Sequence, residues 1–252
     1  MKIDKFRAKY SDADQLKKYA EDLVKIYKSE KQKRKELKAA NVELHKAYLE
    51  TIYRLAIAAE YRDEDTGDHI IRIGRYSALI AKKLRISDIK PEDILYAAPM
   101  HDIGKIGIPD NILLKPGKLT DEEFDIVKSH TTIGAKILSN SNAKKIMLAE
   151  QIALSHHEKW NGQGYPNGLS GEDIPLAARI VAVVDVFDAL TSKRPYKKSF
   201  PVEVALNIMK KERGQHFDPD VLDIFLANID RILKIMGSVK KDDFFAFKLS
   251  LE

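Results

Sequence analysis

From Ser11 to Glu60 the chain runs for 50 residues without a glycine or a proline. Nothing in that stretch breaks a helix, and its Leu, Ala, Lys, Glu and Gln favour one. One long helix is therefore expected before any compact fold begins. Leu16, Leu23, Leu37 and Leu44 share a seven-residue lattice whose other places hold Glu30 and Thr51. A companion lattice holds Ala20, Tyr27, Arg34, Asn41, Tyr48 and Leu55. The two resemble the a and d positions of a coiled coil, with Asn41 the residue type that sets register in a parallel dimer. Glu30 and Arg34 weaken the middle of that seam. A helix packed on its own domain is the alternative; the lattices favour a dimerising or signal-transmitting helix. The net charge of +5 also collects here, residues 1–59 holding 15 Lys+Arg against 9 Asp+Glu. A solvated helical face accounts for this excess, so nucleic acid is not an expected partner.

After Tyr61 the pattern changes. Helical periodicity marks 68–85, 91–101, 120–139, 143–158, 176–192, 201–213 and 218–236. Pro91 and Pro201 suit first-turn positions, and Ser87, Thr120 and Ser199 suit caps. Only 243–249 reads as a short strand, so an all-α bundle is expected. Glycine- and proline-bearing loops at 107–118 and 160–175 are long enough to be functional. The absence of cysteine excludes disulfides, thiolate metal sites and cysteine nucleophiles. The N-terminus has no apolar core like that of a secretory signal, and no apolar run approaches the roughly 20 residues of a membrane span. A cytoplasmic location is expected.

Five of the seven histidines then form an ordered series with two aspartates: His69, His101-Asp102, His130, His156-His157 and Asp185. Imidazole and carboxylate are ligands of divalent first-row metals. Each adjacent pair ends an apolar helical stretch, and neighbouring helical side chains diverge by about 100°. Such pairs suit two neighbouring ions better than one. Asp185 interrupts the apolar run Ile180–Phe187, where an unpartnered carboxylate would be costly. Asp65 precedes His69 by four residues and suits either a ligand or a helix N-cap. His45 carries no such context, and His216 reads as structural, with a hydrogen bond near Asp218. These N and O donors fit Fe, Mn, Co, Ni or Zn better than Ca or Mg. Two ions sharing the donors, or three with Asp65, would suit phosphoester hydrolysis.

Three runs, HDIGKIGIPD (101–110), HHEKWNGQGYP (156–166) and DVFDALTSKRPYK (185–197), closely resemble the HD-GYP phosphodiesterases, a branch of the HD superfamily of metal phosphohydrolases. HD alone is a weak signal; the three motifs in this order are specific. The resemblance covers about 52–228 and implies an HD-domain helical bundle at 52–250, preceded by a coiled-coil-like signalling or dimerisation segment at 1–51. It implies hydrolysis of cyclic di-GMP to pGpG, and in some members to GMP, with a metal-bridging hydroxide as nucleophile. It implies that His69, His101, Asp102, His130, His156, His157 and Asp185 ligate Fe or Mn, with Asp102 bridging. Members with a third metal carry glutamate where this chain has Asp65, which leaves a third ion and full conversion to GMP open. Lys105 would sit beside the scissile phosphate as charge stabiliser or proton donor. Tyr165, Arg194 and Lys197 would hold the substrate, arginine offering a bidentate fork. Trp160 and Pro166 read as scaffold. A homodimer through the N-terminal helix and a sensor or receiver partner are the expected associations. Two other readings compete: a non-catalytic module that binds the nucleotide or a protein, and an HD phosphohydrolase acting on another nucleotide.

Overall fold

The computed structural model describes residues 12–62, 67–85, 88–192 and 199–239. The expected strand at 243–249 and the expected cap Ser87 lie outside them. Among the described residues there are helices and two isolated bridges, Asn161 with Ser170 and Arg213 with Phe217, but no strand. The fold is all-α, as the periodicity predicts. Two compact units divide the chain, Met1–Thr51 and Ile52–Glu252.

The first helix, α1 (Asp12–Glu60), contributes to both units. In the first unit its lattice leucines stand in solvent, with Leu16 69% and Leu44 71% exposed. Ion pairs one turn apart, Lys25 with Asp22 and Lys46 with Glu43, decorate the surface. Exposed pairs of this kind contribute little.

In the second unit the end of α1 buries Ile52, Tyr53, Ala56 and Ala59. There follow α2 (Asp68–Leu84), α3 (Pro91–Ala97), α4 (Asp110–Leu113), α5 (Asp121–Lys128), α6 (His130–Leu138) and α7 (Lys144–Ser155). The last helices are α8 (Leu176–Thr191), α9 (Val202–Lys211), α10 (Pro219–Ala227) and α11 (Ile229–Ser238). The centre is α2, which packs on α3, α8, α10 and α11, while α7 packs on α3, α6 and α8. Ile70, Ile73, Ser77 and Ile80 line the inner stripe of α2. Helix α8 is apolar nearly all round and buries Ile180, Val181, Val183, Val184 and Phe187, as a central helix must. The ring of Phe187 sits between Tyr76 and Phe225, at 6.2 and 5.0 Å between centroids.

Three predicted helices are broken where a side chain competes with the helical ladder. Pro99, which has no N–H, turns the end of 91–101 into a 3₁₀ segment, Ala98–Met100. The stretch 120–139 divides at Ser129, whose Oγ donates to the Ile126 carbonyl. Asn228 divides 218–236 in the same way, its Nδ2 donating to the Ile224 carbonyl. The loop 107–118 contains the single turn α4, and the loop 160–175 contains a 3₁₀ turn, Gly171–Asp173. Thr120 forms the expected cap of α5 as a full capping box with Glu123. Pro91 opens α3, but Pro201 is the N-cap of α9, and Ser199 lies two residues ahead of it. No described helix is long and apolar enough to cross a membrane.

Candidate metal centre

Helix ends bring the histidines together. His69 lies in the first turn of α2, His130 opens α6, and His156 caps the C-terminus of α7 with His157 next to it. His101-Asp102 occupies the turn between two 3₁₀ segments, Ala98–Met100 and Ile103–Gly107. Gly104 permits the close approach of this turn to α6, since a Cβ there would overlap the His130 carbonyl oxygen. His69, His101, His130 and His156 are all buried.

The inner nitrogens are set by what the outer ones touch. Nδ1 of His101 faces the Ala98 carbonyl at 3.0 Å, that of His130 the Val127 carbonyl at 2.7 Å, and that of His156 the Ile152 carbonyl at 3.0 Å. Each Nδ1 therefore carries the proton and each Nε2 presents a lone pair. His69 Nδ1 lies 2.7 Å from Asp188 Oδ2, which fixes the same tautomer. Among the described residues, Nε2 of His101, His130 and His156 and Oδ1 of Asp102 are buried without a hydrogen bond. Buried polar atoms almost always have a partner, and four lone-pair donors aimed at one another need a cation.

The donors fall into two groups. Asp102, His130, His156 and His157 form one; His69, His101 and Asp185 form the other. Asp102 Oδ1 lies 3.2 Å from His130 Nε2 and 3.5 Å from His156 Nε2. Its Oδ2 lies 3.3 Å from His101 Nε2, so one carboxylate faces both groups. Asp185 Oδ1 lies 3.6 Å from His69 Nε2 and 3.8 Å from His101 Nε2. The pair His101-Asp102 divides between the groups as its sequence suggests. His156-His157 does not: both rings join one group, 4.1 Å apart.

Electrostatics follow this geometry. Burial opposes protonation of His101, but Asp102 outweighs it and lifts the imidazole to about 9, so a metal ion binding at Nε2 would displace a proton there. Burial likewise opposes charge on His69, and the Asp188 hydrogen bond raises it nonetheless. His157 is pushed well below its usual value by burial and by His156. Burial disfavours a charged Asp102, yet Lys105 and His101 hold its carboxyl well below the carboxylate range. Lys105 Nζ is 2.9 Å from Asp102 Oδ2, so the predicted cation is at the centre. Arg62 fixes the turn that carries it, donating to the carbonyls of Lys105 and Ile108 at 2.9 Å each and also to that of Ile106.

The loop at 160–175 reaches the same place. The Tyr165 ring stacks on His157 at 4.8 Å, and burial raises its hydroxyl pKa. The Tyr165–Pro166 peptide is cis. Gly164 lies so close to the backbone of Glu158 and Lys159 that a Cβ would collide with both. Glu158 is buried and accepts from the Asn167 and Leu169 amides at 2.7 and 3.1 Å, which ties the loop down.

Four participating residues escaped the sequence reading. Asp188 accepts from His69 and from Arg72 Nε and Nη2, the latter at 2.6 and 2.8 Å. Burial disfavours its charge, but Arg72 and His69 hold its pKa far below the usual range. It is Asp188, 1% exposed, that carries the buried charge of α8, whereas Asp185 is 18% exposed. Glu158 is the third, and Glu60 the fourth. Glu60 is buried at the end of α1, and its Oε1 has no hydrogen-bond partner among the described residues. Burial raises its pKa against the pull of Lys105. Asp65, Arg194 and Lys197 lie outside the described residues. His216 corrects an expectation: its ring stacks on Phe217, while Asp218 caps α10 and pairs with Arg179. Trp160 packs under the Arg179 guanidinium as scaffold.

Comparison with known proteins adds four findings. The family model described as "HD domain" matches residues 55–221. A cyclic di-GMP phosphodiesterase of Thermotoga maritima is 47% identical over 194 residues, which cover 77% of this chain and 53% of that protein. The cyclic di-GMP phosphodiesterase response regulator RpfG of Xanthomonas campestris pv. campestris is 44% identical, over 92% of this chain and 60% of that protein. This chain thus spans a little over half the length of these relatives. Among solved structures, a cyclic GMP-AMP specific phosphodiesterase of V. cholerae shares the fold, with a TM-score of 0.55 and 22% identity over 77% of this chain and 51% of that one.

Proposed function

This chain belongs to the HD-domain family, and on that premise we propose that it is a metal-dependent HD-GYP phosphodiesterase that hydrolyses cyclic di-GMP to pGpG. One observation carries the metal dependence: the buried Nε2 atoms of three histidines and Oδ1 of Asp102, without hydrogen bonds, face one another across two donor groups. In this reading His130, His156 and His157 would hold one ion and His69, His101 and Asp185 another, with Asp102 facing both groups. The donor set suits Fe or Mn, which the family resemblance also favours. Ions held there would supply Lewis acidity toward a phosphodiester and an activated water. Asp65 is the candidate for a third, with conversion on to GMP.

The chain's own groups complete the site. Lys105 Nζ, released from Asp102 to the incoming phosphate, offsets its charge and gives a proton to the departing 3′ oxygen. Tyr165, its hydroxyl kept protonated by burial, donates a hydrogen bond from the pocket wall. Arg194 and Lys197 grip phosphate or guanine. The names of the relatives at 47% and 44% identity support cyclic di-GMP as substrate. The exposed leucine lattice of α1 supports a second proposal, that two chains pair through it and relay a signal from a sensor or receiver partner. Incubation of the Fe- or Mn-loaded protein with cyclic di-GMP tests the activity. It should yield pGpG with wild type and none with His101→Ala. Intact substrate under all metal conditions would overturn it.

A further inference from the structure

Helix α5 buries none of its residues, yet it is held firmly. The Thr120–Glu123 capping box fixes its start, and Lys115 Nζ binds both Glu123 oxygens at 2.8 and 2.6 Å. Its one aromatic residue, Phe124, is 44% exposed and so is not part of the core. Phe124 stands edge-on to Tyr165 with centroids 6.3 Å apart. Lys128 Nζ lies 4.9 Å over the Phe124 ring and 5.9 Å from the Tyr165 ring. Tyr165 in turn stacks on His157. The order from the donor groups outward is therefore His157, Tyr165, then Phe124 with Lys128.

A cyclic dinucleotide has two phosphates and two bases. The reacting phosphate occupies the metal donors and Lys105, which leaves its other half to be bound further out. That half needs a flat apolar surface and a cation. Phe124 offers a partly exposed ring one layer beyond Tyr165, and Lys128 offers the charge. Among the described residues the ion pair of Lys128 is with Asp125, 2.7 Å away and 69% exposed. An exposed pair is worth little and exchanges readily for a phosphate. Resting on the proposed function, we propose that Phe124 and Lys128 form a binding subsite for the non-reacting half of the substrate, Phe124 stacking a purine and Lys128 meeting the second phosphate.

The experiment is an affinity and selectivity series on the metal-loaded full chain. Calorimetry with cyclic di-GMP runs beside turnover of cyclic di-GMP and of bis(p-nitrophenyl) phosphate, which lacks the outer half. Phe124→Ala and Phe124→Leu should each weaken cyclic di-GMP binding by roughly 10- to 100-fold, the range of one aromatic–base stack. Phe124→Trp should keep it. Lys128→Gln should weaken binding about fivefold to tenfold and reduce its salt dependence, as loss of one screened charged contact does. Selectivity for the dinucleotide over the small diester should fall in step. Wild-type affinity in Phe124→Leu, or equal losses on both substrates, would overturn the subsite, because either result makes Phe124 only a packing support. A wild type that binds but does not hydrolyse cyclic di-GMP refutes the proposed function and leaves the affinity series to judge the subsite. A wild type that does neither refutes both.

Discussion

Asp188→Asn removes one charge and almost no volume, and the structure fixes what that should do. The Asp188 carboxylate is 1% exposed and accepts from His69 Nδ1, from Arg72 Nε and Nη2 and from Ser192 Oγ. An amide keeps one acceptor oxygen and turns the other into a donor. That donor must face the Arg72 guanidinium, the His69 N–H or the Ser192 hydroxyl, and the guanidinium loses its counter-ion. Breaking one side of a buried pair costs about 3–5 kcal/mol; the retained acceptor places this variant near 3 kcal/mol. His69 keeps at best a neutral amide acceptor in place of the carboxylate, and weakening of such a partner typically lowers metal affinity by about 10- to 100-fold. Urea unfolding of the metal-free protein reads the first effect, and competition against a chelator reads the second. An unfolding shift of less than about 0.5 kcal/mol with unchanged metal affinity would show that the Asp188 clamp on His69 supports neither stability nor metal binding.

Three further outcomes follow from the same geometry. Glu158→Gln leaves one acceptor for two loop amides, so kcat/KM should fall about tenfold, the effect of one lost charge-assisted hydrogen bond, with metal content kept; unchanged kinetics would separate Glu158 from the Tyr165 loop. Burial and Lys159 lower His216 to about 4, so its neutral form contributes stability that is fully present above the unfolded-state pKa of about 6.5 and is lost as pH falls toward 4. Acid unfolding of His216→Phe should be less steep than wild type over that window, and parallel curves would contradict this. Deleting residues 1–50 should reduce a dimer to a monomer in sedimentation while metal content is retained; an unchanged oligomer would refute pairing through α1.

The long helix was legible because only composition and the absence of breakers were needed to read it. Helix breaks at Ser129 and Asn228 were not, since each depends on a side chain choosing a carbonyl over solvent. The histidine series was legible as donors, and the two-group division of His101-Asp102 followed from its place at a helix end. The misplaced expectation was His156-His157, whose two rings join the same donor group 4.1 Å apart. Asp188 could have been found: the cost argument applied to Asp185 holds equally for a second acid three residues on in the same apolar helix. Glu60 gave no such signal, because an acid closing an apolar helical run looks like a solvated end. Glu158 lies beside the histidine pair, but its role rests on amides nine and eleven residues later, and that contact appears only in three dimensions.

Asp102, with one oxygen toward each donor group, is proposed to serve two metal sites. Elemental analysis of anaerobically purified protein, wild type beside Asp102→Ala, tests it most directly. At least two transition-metal ions per wild-type chain and a clear loss of metal in the variant are expected. One ion or none in wild type, or the same content in Asp102→Ala, would contradict it.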